Sequence, residues 1–325
     1  MTMNPRILTK ATLNAVAAYD LSRPVANGGL LERAAAFPAE GKPYGHAAAP
    51  DLECAAYTTD EALICVERDG TARWRSDFEA PAEQYMNGRA YCEFSLKGDV
   101  VWLYRPDLAM KGRDHTDQWL AFDAATGNVL GQVDLGSAGH GAEHYVHPDG
   151  EQILLEVGEG QDGSRIYSAR LDGTGIALTE YEWNSMLCAL SPDGTRLMTV
   201  REVRGSLLEE LVIRTFPGEE EDVIVSAEAL GYDEDKYETF FIGFIVGYLD
   251  AETAIVSVRG ELAEDEDDDE PQDLDFHHNQ LVDVRTGRVL GPMPSEFFDR
   301  EDIVPLGDRS FLTTGSNGGW YRHTL

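Results

Sequence analysis

Two stretches constrain this chain more than any other: "HPDGEQILLEV" at 147–157 and "SPDGTRLMTV" at 191–200. Each runs a polar residue, Pro-Asp-Gly, two polar residues and then an apolar run. Proline presets φ, aspartate bonds back to the backbone, and glycine accepts positive φ, so each is a hairpin turn that feeds a strand. Gly150 and Gly194 lie 44 residues apart. Looser copies place turns near Glu61 ("TTDEALICVE"), Gly98 ("SLKGDVVWLY"), Ala251 ("YLDAETAIVSV") and Asp308 ("PLGDRSFLTT"). The successive gaps are 37, 52, 44, 57 and 57 residues.

A second signature falls between these turns. "WLAFDAATGNVLGQV" (119–133) and "NQLVDVRTGRVLGPM" (279–293) each read strand, Asp, two residues, Thr-Gly, strand, and "IYSARLDGTGIALT" and "ICVERDGTARWR" are shorter variants. One unit then reads in full as "EHYVH", "EQILLEV", "SRIYSARL" and "TGIALTEYE". The next reads as "SMLCALS", "TRLMTV", "EELVIRTF" and "DVIVSAE". Four short strands per repeat of this size, with uneven loop insertions, predict the blades of a β-propeller. Helical patterning is confined to "LLERAAAF" (30–37) and "SEFFDRED" (295–302).

On "SPDG", "HPDG", "FDAATGNVL", "VDVRTGRVL" and the Gly139-His140 pair, the chain resembles the WD-repeat and TolB-like propeller superfamily over residues 50–325. The Trp-Asp dipeptide that ends WD blades is missing. The resemblance implies a ring of four-stranded blades with a binding surface on one face. The expectation is an all-β chain forming a single propeller domain over 1–325, with six blades favoured and seven if residues 1–50 carry further strands. The last repeat offers only "DIVPL", "RSFLTTG" and "GWYRHTL". Residues 1–50 are therefore expected to complete the C-terminal blade and close the ring, with "LNAVAAYDLSRPV" (13–25) as the later half of that blade.

Charge narrows the partners. Against 26 Lys and Arg stand 59 Asp and Glu, a formal charge of −33, and no basic cluster interrupts it. Phosphate backbones and anionic membranes are repelled by such a surface, so neither nucleic acid nor membrane is expected as a partner. Only five lysines accompany 21 arginines, which fits a GC-rich genome or a salt-adapted organism. The N-terminus lacks the continuous apolar core of a secretory signal, and no apolar run is long enough to span a bilayer. Cys54, Cys65, Cys92 and Cys188 sit in apolar strand-like stretches without Cys-x-x-Cys spacing, and read as reduced thiols of a cytoplasmic monomer.

Residues that carry chemistry are few. His140, His144 and His147 fall within eight positions of a chain with eight histidines. His147 stands where Ser191 stands in the next repeat, which makes it a turn residue. The superfamily resemblance implies a hydrogen-bonding role inside the blade for His140. Glu143 and His144 point to opposite faces of one strand and cannot share a metal, and a zinc site needs converging ligands. His144 alone keeps a view of the channel. The acidic run 261–276 fails the EF-hand pattern, since Glu270 and Phe276 occupy its Gly and Glu positions, and reads as a disordered, solvated insertion. His277 and His278 alternate across a strand. Trp320 and Tyr321, in "GSNGGWYRH", offer a stacking surface or pack the closing blade.

No Gly-x-Ser-x-Gly elbow, Walker loop or dinucleotide fingerprint occurs. No catalytic residue, metal or cofactor is assigned, and the ligand- or partner-facing candidates are His140, His144, Trp320 and Tyr321. The leading expectation is a non-enzymatic propeller that binds or scaffolds a protein partner. Two alternatives stand beside it: a propeller lyase or hydrolase with acids and histidines converging at the channel mouth, with or without a metal, and a small-molecule sensor.

Overall fold

The computed structural model describes residues 6–78, 89–106, 116–160, 163–218, 220–263 and 274–325. Among them are 27 strands, β1 to β27 in chain order, and no α-helix. The chain divides into two compact units, Met1–Pro24 with Glu32–Asn184, and Val25–Leu31 with Ser185–Leu325.

The first unit holds four antiparallel sheets. β1 (Ile7–Ala11), β2 (Ala15–Asp20) and β4 (Ala35–Pro38) form a three-stranded sheet, and three four-stranded sheets follow. These are β5 (His46–Ala48) to β8 (Ala72–Asp77), β9 (Tyr91–Phe94) to β12 (Val129–Asp134), and β13 (Gly141–Val146) to β16 (Ile176–Tyr181). Their inner members are β6 (Cys54–Thr58), β7 (Ala62–Glu67), β10 (Val100–Arg105), β11 (Gln118–Asp123), β14 (Gln152–Gly158) and β15 (Ser164–Leu171). The first strands β1, β5, β9 and β13 stand side by side, each touching the next. Apolar layers fill the spaces between sheets. Val16, Phe37, Tyr57 and Ile64 lie between the first and second, and Leu63, Trp74, Leu103 and Phe122 between the second and third. Trp102, Trp119, Leu155 and Tyr167 lie between the third and fourth. Side chains that alternate along each strand supply both neighbouring layers, so nearly every strand residue of β7 and β10 is buried.

The second unit repeats the plan with three sheets. β17 (Met186–Leu190), β18 (Arg196–Glu202), β19 (Glu209–Thr215) and β20 (Glu221–Val225) make one. β21 (Tyr237–Tyr248), β22 (Thr253–Leu262), β23 (Asp275–Asp283) and β24 (Val289–Pro292) make the next. The last joins β25 (Val304–Pro305), β26 (Ser310–Thr314) and β27 (Trp320–Thr324) to β3 (Gly29–Leu30) from the N-terminal region. There Tyr321 pairs with Leu30 and Arg322 with Gly29.

This is an all-β propeller architecture with seven blades rather than the six favoured from sequence. Residues 1–50 account for the difference, because they carry a sheet of their own. Residues 13–25, expected to extend the C-terminal blade, contain β2 of that first sheet, and the strand that pairs with β27 is the two-residue β3. "LLERAAAF" is not helical, since Ala35–Pro38 is strand β4, and 295–302 holds a turn over 295–299 and no helix. Most of the acidic run, 264–273, lies outside the described residues, and its flanks show that it joins β22 to β23.

The turn chemistry follows the sequence closely. Gly150 N–H donates to the His147 carbonyl and Gly194 N–H to Ser191, at 3.0 and 2.9 Å, with φ of 72° and 75°. Asp123 Oδ1 accepts from the N–H of Ala125 and Thr126, and Asp283 Oδ1 does the same for Arg285 and Thr286. The turn after β5 departs from the Pro-Asp-Gly form. In "APDLE" Leu52 takes the glycine position at φ 60°, its N–H donating to Ala49 at 2.8 Å while Asp51 caps Glu53 N–H at 2.9 Å. This is the first hairpin of the second sheet. The turn at Glu61 is its second hairpin, between β6 and β7.

Candidate functional site

The first strands of three sheets in the first unit enclose a cleft of about 680 Å³. β5 and the residues before it contribute Tyr44, Gly45 and His46, β9 contributes Tyr91, Cys92 and Glu93, and 140–144 with β14 contribute His140, Glu143, His144 and Glu156. No lysine or arginine is among the described lining residues.

Close backbone approach builds the walls. A Cβ on Gly45 would stand 2.5 Å from the Tyr91 Cα, so only glycine lets β5 meet β9 at this point. Thr58 Oγ1 ties the two together, accepting from Gly45 N–H at 2.9 Å and donating to the Ala90 carbonyl at 2.7 Å. On the opposite wall a Cβ on Gly139 would lie 2.3 Å from both the Tyr104 hydroxyl and Val157 Cγ1. The fully buried Asp117 holds that connector: its Oδ2 accepts from Tyr104 O–H (2.9 Å), Ser137 O–H (2.8 Å) and Gly139 N–H (2.6 Å). His140, next in the chain, is exposed at the rim, its N–H donating to the Gly158 carbonyl.

His144 turns toward the third sheet, where the buried Trp119 donates its indole N–H to His144 Nε2 at 3.1 Å. An imidazole nitrogen that accepts cannot also carry the proton, and burial pushes this histidine down to about 3. His144 is therefore a neutral, fixed side chain. Burial also lowers His46, whose Nδ1 meets Thr9 Oγ1 at 2.8 Å. His147 is a turn residue, 8% exposed, with Nδ1 facing Asp149 N–H at 3.2 Å, while Ser191 in the next blade accepts from Arg196 N–H at 2.9 Å across its turn.

The acids behave in the opposite sense. Burial pushes Glu93 up to about 7, the Phe94 N–H opposing this and the charge of Glu143 adding to it. Glu156 is raised by burial, against a bond from Ser164 and with the Glu143 charge. Glu143 is exposed to solvent, and desolvation from the surrounding protein raises its carboxyl against a bond from Tyr145. At the cleft edge the Arg89 guanidinium lies 4.1 Å from the Tyr44 ring centroid.

Of the residues singled out from sequence, His140 and His144 line this cleft. Trp320 and Tyr321 belong to β27, and the Tyr321 hydroxyl accepts from Asn317 at 3.1 Å. Glu93, Glu156, His46, Tyr44 and Tyr91 were not foreseen. Their only local signal is a polar residue inside an apolar strand, as in "YCEF". Among the described residues no three His, Cys, Asp or Glu side chains are grouped so as to hold a metal ion.

No family model and no curated protein matches the sequence. Solved structures match by shape. The Dos1 propeller has a TM-score of 0.53 at 10% identity, covering 98% of this chain and 75% of that one. BamB from Moraxella catarrhalis has 0.51 at 13%, covering 100% and 95%. Kuenenia stuttgartiensis hydrazine synthase has 0.52 at 11%, covering 83% and 72%. Likeness at this level defines the class of fold, a β-propeller, and leaves activity to the chain's own residues.

Proposed function

We propose that the protein is a binding module whose cleft receives a basic segment of a partner protein. One observation carries this reading: a concave site of about 680 Å³ whose lining combines carboxylates and tyrosines with no described cation of its own. Carboxylates pair with Lys and Arg head groups, and tyrosine faces attract the same cations. The formal charge of −33 supports the reading, because it steers basic partners toward the chain from a distance. The four cysteines stand as free thiols, in keeping with a reducing, cytoplasmic setting.

An enzyme is the second reading, and Glu93 is the observation in its favour. A carboxyl near 7 can give or take a proton at physiological pH, as a lyase or hydrolase requires. A fluorescence-anisotropy titration with a labelled arginine-rich peptide at physiological salt tests the binding reading. Saturable binding that weakens at least about tenfold in the E143Q/E156Q double variant supports it, since two charge-assisted pairs are removed. Equal affinity for the variant sinks it, because the peptide would then be reading overall charge.

A further inference from the structure

Cys54 and Cys65 lie on one face of the second sheet. The register pairs Cys54 with Glu67 and Ala56 with Cys65, so the two thiols are diagonal neighbours on β6 and β7. The pairing of β7 with β8 slips between Cys65 and Val66, and Arg73 is the β8 residue left without a cross-strand partner. Such a bulge re-aims a side chain. Here Arg73 Nη1 donates to Cys54 Sγ at 3.3 Å, while its Nε donates to Glu67 Oε1 at 2.8 Å and fixes the guanidinium. The Cys65 S–H is a second donor to the same sulfur. That bond and the Arg73 charge hold the Cys54 thiol below its ordinary range, against burial and the charges of Asp51 and Glu67. The same bond, with burial, raises Cys65, and burial raises Cys92 in the same apolar layer.

Access selects the oxidant. Cys54 is 3% exposed, but the Arg73 and Glu67 side chains over it are 26% and 41% exposed. A small uncharged peroxide fits that approach, and a bulky anionic disulfide does not. We propose that Cys54 is a peroxide-reactive thiol, with Arg73 as its positioning residue and Cys65 as the thiol that resolves it. This goes beyond the binding reading and stands without it. The Cys54 thiolate attacks one peroxide oxygen, the O–O bond breaks, hydroxide leaves as water after taking a proton, and Cys54 becomes a sulfenic acid. The Cys65 sulfur then displaces the hydroxyl, giving up its proton as the second water forms. Two thiols and one hydrogen peroxide thus give one disulfide and two waters. Diagonal neighbours stand about 7–8 Å apart across a sheet, beyond the relaxed span of a disulfide, so the product is a strained bond that thiols reduce readily.

The test adds hydrogen peroxide to the folded full chain at pH 7, blocks the remaining thiols and maps the cysteines by mass spectrometry. No Lys or Arg separates Cys54 from Cys65, so one tryptic peptide carries both. Loss of two hydrogens from that peptide, reversed by dithiothreitol and with Cys92 unmodified, is the expected result. Cys54 and Cys65 both remaining thiols while methionines oxidise overturns the inference. Cys65→Ser should leave a sulfenic acid on Cys54 that dimedone captures, and a folded variant with no capture at Cys54 overturns its role as the attacking thiol. Arg73→Gln should slow the wild-type reaction about tenfold and move its pH–rate profile to higher pH, with Arg73→Lys restoring part of the rate. An unchanged rate and profile overturns the role of the guanidinium.

Discussion

Glu93→Gln isolates the energetic cost of the cleft. The glutamine keeps an oxygen for the Phe94 N–H, which Glu93 Oε1 accepts at 2.8 Å, so the local backbone is retained. Glu93 is raised from an ordinary 4.5 to about 7. The folded chain thus holds a proton over a pH range in which the unfolded chain has lost it. Between those limits the folded state binds more protons, so stability falls as pH rises through the range from about 4.5 to about 7, and the contribution is fully present only below that window. At about 1.4 kcal/mol per pH unit the full displacement is worth about 3 kcal/mol, and water reaching the cleft trims this to about 2 kcal/mol. The chain has 59 acids, so the informative quantity is the difference between wild type and variant, not either pH profile alone. Urea unfolding at pH 4, 5, 6, 7 and 8 should give nearly equal stabilities at pH 4 and a variant more stable by about 2 kcal/mol at pH 8. Parallel curves across the range would refute the assignment of a raised carboxyl at this position.

Three further outcomes follow from the geometry. Asp117→Ala leaves the Tyr104 hydroxyl, the Ser137 hydroxyl and the Gly139 N–H without their acceptor, and should cost about 3–5 kcal/mol in chemical denaturation. Leu52→Gly relieves a positive φ worth about 1 kcal/mol but deletes a buried side chain, only 7% exposed, so the net change in denaturation free energy should be a loss of about 1–2 kcal/mol. Trp119→Phe opens space beside His144, whose burial lowers its pKa, and removes the indole donor to its Nε2, so the His144 imidazole should titrate at higher pH in a proton NMR titration, with a drop in melting temperature from the cavity.

What the sequence made legible was what local chemistry determines. The blades β13–β16 and β17–β20 could be read strand by strand because Pro-Asp-Gly and Asp-Gly mark their turns. The seventh blade was hidden because its strands are short and alanine-rich, as in "AVAAYD" and "AAFP", and carry little of the β-branched and aromatic signal of a strand. In the next sheet the turn after β5 has Leu52 in place of the glycine of Pro-Asp-Gly, so that sheet was marked by its second hairpin instead of its first. The cleft was less legible still. Its groups are drawn from residues 44 to 160 on three sheets, and only the pairing of β13 with β14 puts Glu143 opposite Glu156. His144 was expected to view the channel, and its acceptor bond to Trp119, 25 residues away, has no local signature.

The most direct test of the account is where a basic segment docks. Zero-length carboxyl–amine coupling of a lysine-containing arginine-rich peptide, followed by mass mapping, reports the acids it touches. The account predicts adducts concentrated on Glu93, Glu143 and Glu156, and lost when free peptide competes. Adducts scattered over the acidic surface, with those three unmodified, would contradict it.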